Sequence, residues 1–91
     1  MREPYLEITF RRGRPIAAYY YLPRQAGQKS VRTRRVEPGL VIDYTSEGQA
    51  IGIEITAPSK VSRAALNAVL HELGHAPASE ADLAPLPLIA A

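Results

Sequence analysis

Hydrophobic and polar positions alternate over Tyr5–Phe10. Leu6, Ile8 and Phe10 fall on one face, Glu7 and Thr9 on the other, which is the pattern of a half-buried strand. Gly13 offers a hairpin turn, and Ile16–Leu22 then runs apolar and aromatic on both faces. That suits a central strand, or one covered on both sides. A polar loop, Pro23–Ser30, leads to Val31–Val36, where arginines on both faces favour an edge strand. Pro38 and Gly39 supply a turn. Leu40–Tyr44 and Ala50–Thr56 give the clearest signal. Pairing Tyr44 with Ile51, Ile42 with Ile53 and Leu40 with Ile55 puts all six apolar side chains on one hairpin face, and a one-residue slip would separate them. The loop between them, Ser46–Gln49, contains Gly48, which can take the positive φ a tight loop needs.

After Pro58 the period changes from two to 3.6. Ser62 is placed to cap a helix over Arg63–Leu73, with Leu66, Val69, Leu70 and Leu73 in one apolar stripe. Ser79 and Asp82 form a variant capping box before a helical turn over Glu80–Ala84. Pro85 stops that turn, and the apolar tail Leu86–Ala91 covers a sheet edge or meets a second subunit. These elements predict an α+β fold: an antiparallel β-meander of about five strands, one C-terminal amphipathic helix and a short helical turn with a tail. One domain takes in residues 1–91, with the meander over 1–57, helix and cap over 58–76, and turn and tail over 77–91.

Composition narrows the chemistry. The chain has no cysteine, so disulfides and thiolate metal sites are excluded. Met1 is followed by Arg2, Glu3 and Pro4 with no signal-like apolar core, and the longest apolar run, Ile16–Leu22, is too short to span a bilayer. A cytoplasmic protein with no membrane association is the expectation. Charge is uneven. Residues 1–36 carry nine Lys/Arg against two Glu, a net of +7, and residues 37–91 carry two against seven acids, a net of −5. Two halves that neutralise each other explain this better than a nucleic-acid face, because the basic residues do not gather on one helix. Arg32, Arg34 and Arg35 are the candidate contacts for nucleic acid or a protein partner.

His71–His75 spells HELGH, which fits the H-E-x-x-H pattern of zinc hydrolases. The pattern works only if the helix continues through the second histidine, so that both imidazoles stack on one face. Gly74 stands where helices end, and Pro77 follows. The chain has no third histidine, and Ala78 and Ala81 occupy the positions where the longer zinc motif needs Gly and His. The favoured reading is therefore a helix terminus with no metal, no cofactor and no catalytic residue. A metal site at His71, Glu72 and His75 is the alternative. Asp43 and Glu54 share one hairpin face without a nucleophile beside them, so a solvated or Arg-paired sheet face is expected there.

Gly39, Asp43, Glu47, Gly48, Gly52, Ile53, Glu54 and Ile55 form a G-x-x-x-D strand, an E-G turn and a G-I-E-I strand. With Ala17–Leu22, this pattern resembles the small bacterial domain of unknown function 2283 over roughly residues 15–60. The chain looks like a divergent member, because Arg11–Ala17 replaces the family's usual Y-D-x-x-A-D run. The resemblance supports an antiparallel sheet and implies no catalytic residue. Some members look like one partner of two-gene toxin–antitoxin modules. A homodimer is expected, because one helix cannot cover both faces of such a sheet. The leading functional reading is a non-catalytic protein-interaction or structural module. Metal analysis of protein purified without a histidine tag tests the alternative. We expect no stoichiometric zinc; near-stoichiometric zinc that His71→Ala removes would establish the metal site.

Overall fold

The computed structural model describes residues 3–89. Five antiparallel strands form one sheet: β1 (Tyr5–Arg11), β2 (Arg14–Tyr21), β3 (Arg32–Glu37), β4 (Leu40–Tyr44) and β5 (Ala50–Ile55). A 3-10 turn at Pro58–Lys60 leads into α1 (Arg63–Glu72), and α2 (Glu80–Leu83) follows. No helix among the described residues is long and apolar enough to cross a membrane.

The strands do not run as a meander. Their order is β1-β2-β5-β4-β3, so the chain crosses from β2 to the far edge and returns inward. Charge explains the correction. In a meander β3 would be the central strand, and Arg32, Arg34 and Arg35 would lie between two neighbours, where buried charge is costly. The observed order puts the arginines at an edge, where all three are exposed, and puts isoleucine-rich β5 at the centre.

The β4–β5 hairpin pairs Leu40 with Ile55 and Ile42 with Ile53, as the sequence pattern requires. Tyr44, however, lies opposite Ala50 rather than Ile51. Thr45 is the cause. Its N–H donates to the Gln49 carbonyl at 2.9 Å, and its hydroxyl accepts from Gln49 at 3.2 Å and from Glu47 at 3.3 Å. The loop therefore closes one residue early and the spare residue becomes a β-bulge. Ile51 is still fully buried.

One face of the sheet carries the core. Ala18, Tyr20 and Leu22 from the β2 segment, with Leu40, Ile42, Ile53 and Ile55, meet Val61 and Leu66, Val69 and Leu70 of α1. Each fully buried aliphatic chain of this kind stabilises the fold by about 1.5–3 kcal/mol relative to exposure. Ala78, Leu83 and Leu86 complete this layer. The tail runs beside the start of α1, not along a sheet edge: Ser62 and Ile89 form a parallel bridge, and the Ile89 N–H donates to Val61 at 2.8 Å. Ala90 and Ala91, the end of the expected tail, lie outside the described residues.

Both helices start on serine side chains. Ser62 Oγ accepts from Ala65 at 3.0 Å and Ser79 Oγ from Asp82 at 3.1 Å. α1 ends at Gly74, whose φ is +81°. The His75 N–H donates to Leu70 at 2.8 Å and the Gly74 N–H to His71 at 3.0 Å, the paired bonds of a Schellman cap. A Cβ added at Gly74 would touch nothing within 4 Å, so only backbone strain opposes a side chain there. Gly74→Ala is expected to lower stability by about 1 kcal/mol, read from the urea midpoint. An unchanged midpoint would show that the cap does not depend on the left-handed residue.

Candidate functional site

Among the described residues, no helix lies over the side of the sheet opposite α1. Register places Glu7, Tyr19, Tyr21, Gly52, Glu54, Val41, Asp43, Thr33 and Arg35 on this face. The sequence suggested a solvated or Arg-paired face for Asp43 and Glu54; Glu54 is partly exposed, but Asp43 is not solvated. Asp43 is only 5% exposed. The cover comes from Tyr19. Its ring leans from β2 across β5 and lies over Gly52, and its hydroxyl donates to Asp43 Oδ2 at 2.7 Å. A Cβ at Gly52 would overlap the Tyr19 ring and hydroxyl, so the missing side chain is what lets the tyrosine lie flat.

Three tyrosines line this side. Tyr5 stacks on Tyr21 with centroids 4.5 Å apart at 13°, and Tyr19 meets Tyr21 at 4.5 Å with a 53° tilt. Tyr21 donates to Glu7 at 3.2 Å, and the Arg24 guanidinium sits 5.1 Å from the Tyr21 ring centre. Arg24 also donates to the carbonyl of Ile51 at the bulge. Burial and the hydrogen bond to Asp43 push the Tyr19 phenol well above its ordinary range, and the Arg24 guanidinium beside it opposes that rise. Tyr19 is therefore a neutral donor at any physiological pH.

Glu54 lies diagonally from Asp43, because Asp43 pairs with Gly52 and Val41 with Glu54. A hydrogen bond with Asp43 pushes the Glu54 carboxyl up to about 7, and desolvation and the Asp43 charge add to the rise. The arrangement can hold and release a proton, and it presents polar groups at the middle of an otherwise aromatic face. Thr33 on β3 stands opposite Asp43, and Tyr19 on β2 opposite Glu54.

The other residues singled out in the sequence are not brought together. His71 is exposed on α1 and His75 lies beyond the cap; Glu72 faces Arg34 at 3.6 Å. Among the described residues no group of three or more His, Asp or Glu side chains is gathered to hold a metal ion. Arg34 donates to the Tyr44 hydroxyl at 3.2 Å from Nε and 3.0 Å from Nη2, and Arg32 lies 5.5 Å from the Tyr44 ring centre. Both are on the α1 side of the sheet, whereas Arg35, with Thr33, is on the opposite face. The three arginines therefore do not make one patch. Sequence reasoning paired Asp43 with Glu54 but missed Tyr19 and Gly52. The available signal was a lone glycine inside an apolar strand, which marks a close approach.

One family model, protein of unknown function (DUF2283), matches residues 17–59. That stretch contains Tyr19, Asp43, Gly52 and Glu54. No curated protein and no solved structure matches the chain. Gly52→Ala is expected to displace Tyr19 and cost about 1–3 kcal/mol. Adding Tyr19→Ala should make the Gly52 substitution nearly neutral, as a denaturation cycle would read. Full additivity of the two changes would contradict the packing described.

Proposed function

We propose that this chain, whose residues 17–59 match the model of a protein family of unknown function (DUF2283), is a small bacterial, cytoplasmic, non-catalytic protein-interaction module that self-associates along β1. The supporting observation is the contrast between its two free sheet edges. β3 carries Arg32, Arg34 and Arg35, the kind of charge that discourages strand addition. β1 carries an alternating strand with exposed apolar groups: Tyr5 is 46% exposed and Phe10 55%, and nearby Ile16 is 44% exposed.

The β1 sequence is also complementary to itself. An antiparallel pairing of two copies centred on Ile8 puts Leu6 opposite Phe10, Glu7 opposite Thr9 and Tyr5 opposite Arg11. The first contact is apolar and the last joins a cation to an aromatic face. Two-fold symmetry makes each of these contacts twice. The pairing removes both β1 edges and covers Phe10. A regulatory role beside a partner protein, as in a toxin–antitoxin pair, is consistent with such a module. It needs no catalytic group.

Light scattering at tens of micromolar tests this reading. The expected mass is twice that of the 9.9 kDa chain. Phe10→Lys, with an unchanged circular dichroism spectrum, is expected to weaken association by at least about tenfold, or about 1.4 kcal/mol. A wild-type monomer at that concentration would overturn the proposal.

A further inference from the structure

The geometry points to a proton-binding site at the centre of the uncovered face: Asp43 and Glu54 hold one hydrogen between them, and its loss loosens the sheet where β4 meets β5. The inference starts from an unsatisfied atom. Asp43 accepts from Tyr19 through Oδ2, but its Oδ1 is buried and, among the described residues, receives no N–H or hydroxyl. A buried carboxylate oxygen without a donor is costly. The neighbouring titratable group on this face is Glu54, itself a carboxyl, placed diagonally from Asp43 across the β4–β5 ladder. Two carboxylates would only repel, whereas one neutral acid donates its O–H to the other's oxygen. A single proton therefore satisfies the buried oxygen and removes the repulsion together.

The surroundings favour one charge on the pair rather than two. From β2, Tyr19 is neutral and donates to Asp43, and Tyr21 is turned toward Glu7 of β1. From the segment after β2, Arg24 provides positive charge but also binds the Ile51 carbonyl and lies over Tyr21. From β3, Thr33 stands opposite Asp43 and Arg35 opposite Val41, one pair removed. Arg24, which also interacts with Tyr19, and the exposed Arg35 are cations on this side of the sheet, and Glu7 is a further carboxylate there. Glu54 is the member that exchanges with solvent, because it is partly exposed while Asp43 is buried.

The stability consequence has a definite sign. The folded protein holds the Glu54 proton up to about 7, and the unfolded chain releases it near 4.5. Between those values the folded state binds more protons, so stability falls as pH rises. Above about 7 the contribution is lost and the face carries one more negative charge.

The test is a side-chain carboxyl titration by NMR on the full chain. The Glu54 resonance is expected to titrate near neutral pH. A midpoint in the ordinary glutamate range would overturn the inference. A second measurement uses Glu54→Gln, whose amide can donate to Asp43 Oδ1 without titrating. Its urea midpoint is expected to stay level from pH 5 to 8 where the wild-type midpoint falls. The same fall in the Gln variant would place the titrating group elsewhere and also refute the site.

Discussion

The bond from the Tyr19 hydroxyl to Asp43, 2.7 Å long and laid over Gly52, is the interaction on which the arrangement of this sheet turns. A chain of this length has only a thin helical layer, and that layer covers one face. The other face must be closed by its own side chains. Tyr19 does this by reaching from β2 across the central strand to β4. It joins the N-terminal hairpin to the β3–β4–β5 unit by a contact that backbone pairing alone does not make. Gly52 leaves the space for the ring, and Asp43 gives the hydroxyl an acceptor. The same cover isolates Asp43 from water and makes Glu54 its necessary companion.

The two faces therefore work by different physics. Below α1, aliphatic burial is non-directional; Ile51, displaced by the bulge, lies outside that cluster and is buried nonetheless. On the uncovered face the stabilising contacts are directional. Each polar atom there needs a named partner, and a small displacement removes one. A methyl group at Gly52 would overlap the Tyr19 ring and hydroxyl, so it displaces those contacts.

Much of the local structure was legible in the sequence. Ser62, Ser79 and Gly74 mark helix ends by chemistry that acts within one turn, and the Leu40 and Ile42 pairings follow from period-two burial. The strand order was legible only in part. The arginines of β3 indicated an edge, which is incompatible with a simple meander of five strands, and the edge indication prevailed. The long polar segment Pro23–Ser30 was the second sign that β2 and β3 need not be neighbours. Pairing of β2 with β5 depends on which edges remain free after the β1–β2 hairpin and the β3–β4–β5 unit form, and no short-range pattern encodes that. The Tyr19 contact was hidden for the same reason: it joins residues 24 positions apart through a glycine whose role is to have no side chain.

A double-mutant cycle on Tyr19→Phe and Asp43→Ala measures this coupling most directly. Urea denaturation at neutral pH of the wild type, both single variants and the double variant gives the interaction term. The account predicts coupling of at least about 1 kcal/mol, because the bond is part-buried and its acceptor is a buried carboxylate. Additivity within about 0.5 kcal/mol would mean that the two groups act independently, and that the uncovered face is held by something other than the bond between them.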